Sequence, residues 1–385
     1  LTRLNYNYAG KYMIEALGRR DGTSKFHVDY RWCNFGAASV GWRISEENFV
    51  KKNVKWLDNL KLRASYGIVG NDNIGGTGDR FAYFTQFGSG NSYGFGPNGN
   101  LVYGIRETLL GSDKLTWEKS YKTNIGLEMM LWGKLNLTLD YYWERRKDIL
   151  IQRSSLPSMA GFDASIYANM GEMDNKGLEF SINAVPVHTK DWKWTVGMNY
   201  TWNDSKITKL NVVDSEANFV QTGAISGTGK TVQVFMVGER PYTFYLAKQA
   251  YDDNGKPIEG QYVQPDGSVS ATETKYATNK SALPESYLGF NTQLSYKNWD
   301  FAISGHGAFG NYVYNYIAAD QYVQSVYSDQ GNFSNILSRT KATGFQNQQL
   351  YSDYFLEKGN FFRIDNISLG YTFKKLWDQS SSLRL

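Results

Sequence analysis

Apolar and polar residues alternate strictly along the stretch 60–68 of this chain. One set of alternate positions is apolar, namely Leu60, Leu62, Ala64, Tyr66 and Ile68. The other set is basic or small, namely Lys61, Arg63, Ser65 and Gly67. Because successive side chains of a β-strand point to opposite faces, the stretch predicts a strand with one apolar and one polar face.

The same period of two returns about eleven times along the chain and predicts an all-β fold of antiparallel strands. The other predicted strands lie around residues 4–8, 12–16, 35–44, 121–131, 135–143, 178–184, 192–202, 288–296, 299–303 and 367–373, and a last one begins at Ser382. A short helix is predicted at 45–50, with Ser45 as its N-cap and glutamates in its first turn.

The connections between these strands alternate between short and long. Short turns are predicted at 9–10, 132–134, 187–191 and 297–298. Long polar connections are predicted at 21–34, 70–115, 146–173, 205–285 and 311–360, the last with a helix near 312–327. Antiparallel neighbours joined in this way place every long loop on one side of the sheet.

Aromatic residues mark the ends of many predicted strands, namely Trp42, Tyr66, Trp132, Trp143, Trp192, Trp202, Trp299 and Tyr371. One-sided loops and terminal aromatics favour a transmembrane antiparallel β-barrel, which has short periplasmic turns, long extracellular loops and aromatic girdles. A soluble β-sandwich or propeller is the alternative, although such folds seldom sustain loops of such unequal length. The chain begins within a strand and ends as another starts, so we expect further strands to complete the barrel.

The composition agrees with this fold and excludes several functions. The chain has 28 Tyr, 21 Phe, 11 Trp and 38 Gly but only 7 Pro, which suits long strands joined by glycine-rich turns. A net charge of +4 without a Lys/Arg block argues against nucleic-acid binding. Cys33 is the only cysteine, so neither an internal disulfide nor a cysteine-based metal cluster can form.

Three short motifs imitate known functional sites without the surrounding structure that those sites need. Residues 227–231 resemble the end of a P-loop, 94–99 a dinucleotide-binding pattern and 90–94 a nucleophile elbow. None lies in a strand–loop–helix context. His188 and His306 have no orienting partner that the sequence reveals, so we predict no catalytic residue, no enzyme activity and no cofactor.

The acidic segment 252–267 is too irregular to predict a metal site. A calcium loop needs several oxygen ligands at alternate positions and a bidentate carboxylate. The chain offers Asp252, Asp253 and Asp266 with glycines beside them, but no such regular spacing.

Several segments, in order along the chain, resemble SusC/RagA-like TonB-linked outer-membrane proteins. They include Arg19-Arg20-Asp21-Gly22, Gly41-Trp42-Arg43 and Leu60-Lys61-Leu62-Arg63. The full resemblance covers 12–16, 19–26, 38–47, 56–67, 70–71, 117–119, 123–128, 140–142, 169–179, 288–290, 311–315 and 363–371. These are mainly strand and turn residues, so they specify the scaffold rather than the substrate.

The resemblance implies a 22-stranded barrel with a plugged lumen in the outer membrane of a Gram-negative cell. Residues 1–385 would be roughly its C-terminal half, without the N-terminal plug and the final closing strands. The family imports oligosaccharides or peptides with energy from TonB and with a SusD-like surface lipoprotein as lid. Oligosaccharide import is the leading hypothesis, with peptide import of the RagA type and a passive surface-binding or adhesin barrel as alternatives.

Two sets of residues are candidates for contact with a substrate. The loop aromatics that would stack on sugar rings, or simply pack the loops and the lid, are Tyr83, Phe84, Phe87, Tyr93, Phe95 and Tyr103. The polar residues expected to face the lumen, where they would line a path or bind the plug, are Arg63, Asn136, Asp140, Asn199 and Asn291.

Overall fold

The structure is a computed structural model that describes residues 1–74, 81–95, 97, 99–153, 165–210, 219–226, 228–323, 335–374 and 382–385. The chain divides into two compact units. Unit 1 holds the described residues up to Asn199, and unit 2 holds those from Phe219 onward. Strand β10 contributes residues to both units.

Unit 1 is built around one antiparallel sheet. Its strands are β1 (Thr2–Tyr8), β2 (Tyr12–Gly22), β3 (Trp32–Arg43), β4 (Leu57–Asn71), β5 (Gln86–Phe95), β6 (Asn100–Leu110), β7 (Glu118–Leu131), β8 (Leu135–Arg153), β9 (Ser165–His188) and β10 (Trp192–Leu210). The order across the sheet is β1-β2-β3-β4-β7-β8-β9-β10, and the hairpin of β5 and β6 joins it through a short parallel pairing of β6 with β9. A helix, α1 (Asn48–Asn53), links β3 to β4.

Unit 2 combines long wall strands with a folded insertion. The strands are β11 (Phe219–Ile225), β12 (Lys230–Met236), β13 (Thr243–Ala247), β14 (Gln249–Tyr251), β15 (Pro257–Val263), β16 (Val269–Ser270), β17 (Lys275–Ser281), β18 (Ser286–Tyr296), β19 (Trp299–Phe309), β20 (Tyr312–Tyr314), β21 (Leu356–Lys358), β22 (Phe361–Lys374) and β23 (Ser382–Arg384). The helices are α2 (Tyr316–Asp320) and α3 (Ser338–Thr343). The long strands are ordered β18-β19-β22-β23.

The wall strands expose their apolar side chains. In unit 1 the exposed residues include Tyr6 at 55%, Val40 at 53% and Trp143 at 47% of their surface. In unit 2, Ile367 and Leu369 are 64% and 67% exposed. A soluble protein buries such residues, whereas a barrel in lipid turns them outward. The predicted all-β, antiparallel barrel-wall fold is confirmed, and neither unit closes its sheet within the described residues.

The short turns of unit 1 follow from local backbone geometry. Ala9 and Gly10 join β1 to β2 with φ of 52° and 68°, and Trp132 and Gly133 join β7 to β8 with φ of 52° and 61°. Positive φ at both central residues is typical of the hairpin turn whose twist matches that of its strands. The predicted short turns are therefore confirmed at these positions.

The predicted N-cap at Ser45 is wrong. Residues Ile44–Glu46 form a 3₁₀ turn, α1 begins only at Asn48, and Glu47 is the N-cap. Ser45 is buried and its hydroxyl has no hydrogen-bond partner among the described residues. Tertiary contacts decide the start of the helix, because Tyr12 Oη donates to Glu47 Oε1 at 2.6 Å and Trp42 Nε1 does so at 3.2 Å.

The predicted long connections contain far more strand than the sequence pattern shows. Strands β8 and β9 extend through most of 146–173, the hairpin β5–β6 fills much of 70–115, and β3 already begins at Trp32. In the extensions of β8 and β9 apolar and polar residues do not alternate, because Ile149, Leu150 and Ile151 are consecutive and Tyr167 is buried in the core of unit 1. The period-two hydrophobic signal therefore ends before the strands do.

The connection 205–285 is a folded insertion of unit 2 rather than a loop. It contains a four-stranded sheet, β11-β12-β13-β17, and a three-stranded sheet, β14-β15-β16. Within 311–360, β20 takes residues 312–314 into pairing with β21, so the expected helix near 312–327 is reduced to the short α2. Residues 324–327 of that prediction lie outside the described residues.

Each unit has its own apolar core away from the membrane-facing surface. In unit 2 the core joins the insertion to the 311–360 segment through Phe244, Leu246, Tyr314, Phe345 and Phe355, among others. In unit 1 a second core contains Phe26, Phe35, Leu115, Trp117 and Tyr167, among others. Helices in the described part of the chain are too short to cross a membrane.

Candidate functional site

An ion pair crosses three strands on the polar face of unit 1. The pairing register aligns Arg63 of β4 with Gly126 of β7, and Gly126 with Asp140 of β8. Arg63 Nη2 donates to Asp140 Oδ2 at 2.6 Å, and Nη1 donates to Asn124 Oδ1 at 3.2 Å. A Cβ on residue 126 would lie 2.5 Å from Asp140 Oδ1 and 2.7 Å from Arg63 Cζ. The guanidinium therefore crosses β7 only because residue 126 is glycine.

Further charges extend this row along the same face. Glu128 Oε1 lies 3.0 Å from Arg63 Nε, and Lys61 Nζ lies 3.6 Å from Glu128 Oε2. Asp140 is buried, with a side chain only 9% exposed, so its charge relies on Arg63 for compensation. A groove of about 450 Å³, lined in part by Glu15, Lys61 and Arg63, runs along the neighbouring strands.

The other polar candidates lie apart from this ion pair. Asn136 of β8 and Asn199 of β10 are exposed in unit 1, and Asn291 of β18 is exposed in unit 2. Asn291 pairs in register with Ser304 of β19. Among the five predicted lumen residues, the structure thus brings Arg63 and Asp140 into contact, and their facing the lumen stays a prediction.

Two of the predicted loop aromatics form a cluster before β5. The rings of Tyr83 and Phe84 lie 4.2 Å apart, and the ring of Phe81 lies 6.5 Å from that of Tyr83. Ala82, between them, is fully buried in the core of unit 1 and anchors the segment. Phe84 is 58% exposed, so the cluster offers a free aromatic face.

The remaining loop aromatics belong to the β5–β6 hairpin. Phe87 pairs with Glu107 and Tyr103 pairs with Ser92, so these two aromatics stand at different positions along it. Both are exposed, Tyr103 at 73%. The side chains of Tyr93 and Phe95 lie outside the described residues.

Unit 2 carries an aromatic platform that sequence reasoning missed, formed by Tyr251, Tyr276, Asp353 and Tyr354. Tyr276 Oη donates to Asp353 Oδ2 at 2.8 Å, and the rings of Tyr251 and Tyr354 lie 6.5 Å apart. Burial raises the pKa of Tyr276, and the hydrogen bond to Asp353 adds to it, so the phenol stays protonated. Tyr251 is 51% exposed and presents its ring to solvent.

A buried polar network holds the platform rigid from below. Ser352 Oγ donates to Gln249 Oε1 at 2.6 Å, and Tyr262 Oη donates to Gln349 Oε1 at 2.9 Å. The backbone N–H of Gln249 donates to Asp353 Oδ1 at 2.8 Å. Satisfied buried networks of this kind fix one arrangement of side chains.

A cation borders the same region of unit 2. Lys275 Nζ lies 3.4 Å from the centroid of the Tyr351 ring, and Lys230 Nζ lies 5.8 Å from it. Burial lowers the pKa of Lys275. The platform and its border therefore combine aromatic faces with hydrogen-bond donors, an acceptor and a positive charge.

The acidic turns of 252–267 use their carboxylates internally. Asp252 Oδ1 accepts from the backbone N–H of Asn254 and Lys256, and Asp266 Oδ1 accepts from that of Ser268. Within the part of the chain that the structure describes, no group of three or more His, Cys, Asp or Glu side chains is placed to hold a metal ion.

The structure gives His306 a partner that the sequence does not reveal. Its Nδ1 lies 2.5 Å from Asp365 Oδ2, and Arg363 Nε lies 3.4 Å from Asp365 Oδ1. A bulge in the β19–β22 pairing brings Asp365 beside a residue 59 positions earlier. Nothing local in the sequence indicates this contact.

Comparison with known proteins places the chain among outer-membrane receptors. A family model described as "TonB dependent receptor-like, beta-barrel" matches residues 2–385. The TonB-dependent receptor SusC of Bacteroides thetaiotaomicron is 37% identical over 382 residues, which are 97% of this chain and 38% of that protein. The TonB-dependent receptor P3 of Formosa agariphila is 28% identical over 96% of this chain and 38% of its own length.

A solved structure shares the fold. A chain of the RagAB peptide transporter superposes on 97% of this chain with a TM-score of 0.75 and 24% identity, and the match covers 41% of the RagAB chain. This chain thus spans about two fifths of the length of the proteins that it matches.

Proposed function

This chain belongs to the TonB-dependent receptor-like β-barrel family, and we propose that the protein imports oligosaccharides across the outer membrane. It is a β-barrel chain of the outer membrane of Gram-negative cells. In the proposed function TonB supplies the energy, and a SusD-like surface lipoprotein covers the long-loop side. The similarity to SusC along almost the whole chain supports import.

The aromatic platform of unit 2 supports oligosaccharides as the substrate class. Sugar rings have apolar C–H faces that stack on exposed aromatic rings such as Tyr251, while their hydroxyls need hydrogen-bond partners such as the carboxylate of Asp353. Ligand sites typically combine aromatic walls with a few fixed polar groups. The residues of the platform belong to the two long connections 205–285 and 311–360. Binding residues usually occur in connections of this kind.

Peptide import is the second candidate. The platform has a carboxylate at Asp353, and Lys275 at its border has an ammonium group. These charges are suited to the charged ends and side chains of a peptide. RagAB, which shares the fold, is a peptide transporter.

The test compares binding by the complete protein, extracted from outer membranes together with its lipoprotein partner. We expect Tyr251→Ala/Tyr276→Ala to weaken oligosaccharide binding about tenfold or more, since stacked aromatics dominate such sites. Tyr287→Ala, an exposed tyrosine of the wall strand β18, is the matched control and should leave the affinity unchanged. Calorimetric titration with oligosaccharide mixtures, and separately with peptide mixtures, measures the affinity of each variant.

Tyr83→Ala/Phe84→Ala tests the second aromatic cluster in the same assay. Binding of peptides but not of oligosaccharides would replace the first candidate by the second. Tight binding of either ligand without any uptake by cells would instead indicate a surface-binding barrel.

A further inference from the structure

The apolar face of unit 1 carries cations just beyond its aromatic belt. Along β8 the residues of this face are Leu135, Leu137, Leu139, Tyr141, Trp143, Arg145 and Lys147. Tyr141 and Trp143 are both 47% exposed, and the two residues that continue the same face are basic. The sequence of side chains thus changes from apolar to aromatic to cationic toward the long-connection end.

The distance along the strand places these cations at a membrane interface. Arg145 follows Leu135 by ten residues, which at roughly 3.3 Å per residue and a tilt of about 40° corresponds to about 25 Å along the membrane normal. That is about the height of the apolar band of such barrels. Arg145 and Lys147 therefore lie at the level of lipid headgroups.

Two lysines face each other at this level, and neither forms an ion pair with a carboxylate among the described residues. Lys119 of β7 and Lys147 of β8 are directly paired, so their side chains share one face of the sheet. Like charges in directly opposed positions destabilise a sheet. Lys147 Nζ lies 5.7 Å from the centroid of the Tyr121 ring, which confirms the face that it occupies.

The carboxylates that lie near these cations, Glu172 and Asp174, belong to the next strand, β9. Arg145 makes a double hydrogen bond to Asp174, at 2.8 Å and 3.0 Å. Glu172 lies 3.8 Å from Lys209. Lys119, Arg145, Lys147 and Asp174 together retain a net positive charge, so the surface is suited to an anion.

A surface depression connects Arg145 and Lys147 with the aromatic belt, and Lys119 lies beside it as the cross-strand partner of Lys147. It has a volume of about 310 Å³ and is lined by Tyr66, Tyr121, Thr123, Trp143, Arg145 and Lys147. One end is aromatic and the other is cationic, and both lie on the face that meets lipid. A molecule that fits must therefore carry an apolar chain and an anionic group at its polar end.

We propose that this depression binds a phosphorylated lipid of the outer leaflet. The phosphate lies between Lys119 and Lys147, with Arg145 at its edge, and the first part of an acyl chain packs along Trp143 and Tyr66. Clusters of basic residues beside a membrane-spanning segment recognise anionic headgroups in this way. The bound lipid offsets the repulsion between the paired lysines and ties the wall of the barrel to one leaflet.

The test uses the complete protein extracted from outer membranes and delipidated in a neutral detergent. Native mass spectrometry measures the binding of lipid A, a phosphorylated and acylated disaccharide, and of its dephosphorylated form. We expect the phosphorylated lipid to bind at least about tenfold more tightly, and Lys119→Gln/Lys147→Gln to remove that preference. Lys134→Gln/Lys190→Gln, in the exposed short turns at the other end, is the matched control and should keep it.

Three results would overturn the proposal. The first is equal binding of the two lipids, and the second is an unchanged preference in Lys119→Gln/Lys147→Gln. The third is displacement of the lipid by inorganic phosphate alone at low millimolar concentration, which would show a simple anion site. Oligosaccharide titration of Lys119→Gln/Lys147→Gln separates a failure of the lipid proposal from a failure of the import proposal. Because Lys119 and Lys147 do not belong to the platform, this variant should bind oligosaccharide as tightly as the unaltered protein.

Discussion

Gly126 leaves the space through which Arg63 reaches Asp140. The ion pair joins residues 77 positions apart, and the central position of the row has no side chain. The polar face of unit 1 thus depends on a glycine in the middle of a strand, where glycine otherwise weakens the sheet.

Gly126→Ala should destabilise the protein by about 1–3 kcal/mol, because the new Cβ overlaps the carboxylate and the guanidinium of a partly buried pair. The free energy of unfolding in urea, followed by tryptophan fluorescence, measures the effect. Gly18→Ala is the matched control, since a Cβ at residue 18 of β2 meets no atom within 4 Å. Equal stability of the two variants would contradict the role of Gly126.

Residue-scale contacts of this kind were beyond prediction from the sequence. The alternation correctly assigned Arg63 and Asp140 to polar faces, but their pairing depends on the register of three strands. The platform is equally non-local, because Tyr276 and Asp353 are also 77 residues apart and lie in separate connections. Tyr93 and Phe95 stay predictions, as do the lumen positions of Asn136, Asn199 and Asn291.

At the scale of elements, the link between β3 and β4 depends on one carboxylate. Glu47 is the N-cap residue of α1, and its carboxylate bonds to other elements rather than to the helix. It accepts hydrogen bonds from Tyr12 and Trp42, while Lys11 Nζ lies 3.3 Å from its other oxygen. These hydrogen bonds, that of Tyr12 foremost, lower the pKa of Glu47 below its ordinary value of 4.5. The ionised form therefore stabilises the link at neutral pH.

Acidification should loosen α1. A carboxyl group whose pKa is lowered by folding contributes stability above its ordinary pKa of 4.5, and that stability is lost as the pH falls through the lowered value. Hydrogen–deuterium exchange of the α1 amides, corrected for the intrinsic effect of pH, should therefore accelerate in acid. In Glu47→Gln the exchange should be faster at neutral pH and lose most of this pH dependence. An identical pH profile in both proteins would show that Glu47 does not anchor the link.

The wall strands were predictable because each has one face in lipid and one in a polar environment. The insertion of unit 2 was not predictable on that basis, since β13 is buried on both faces and shows no alternation. The extensions of β8 and β9 also lack alternation, because Ile149, Leu150 and Ile151 are consecutive apolar residues and Tyr167 is buried in the core of unit 1. Hydrophobic periodicity therefore reports the membrane band rather than the full length of the strands.

At the scale of the whole molecule, the two surfaces have separate roles in the account. We propose that the cations of the apolar face bind lipid and that the platform binds the substrate, while the contact of the loop aromatics with the substrate stays a prediction. This chain covers about two fifths of its relatives' length, so import, energy coupling and the lipoprotein partner remain proposals for the whole protein.

The most direct test of import is the uptake of a fluorescent oligosaccharide by cells that carry or lack the gene for the complete protein. We expect uptake only in cells that carry the gene, and its loss when TonB is deleted while binding at the cell surface persists. Tyr251→Ala/Tyr276→Ala should reduce both binding and uptake. Uptake that continues at the same rate without TonB, or without the gene, would contradict the account.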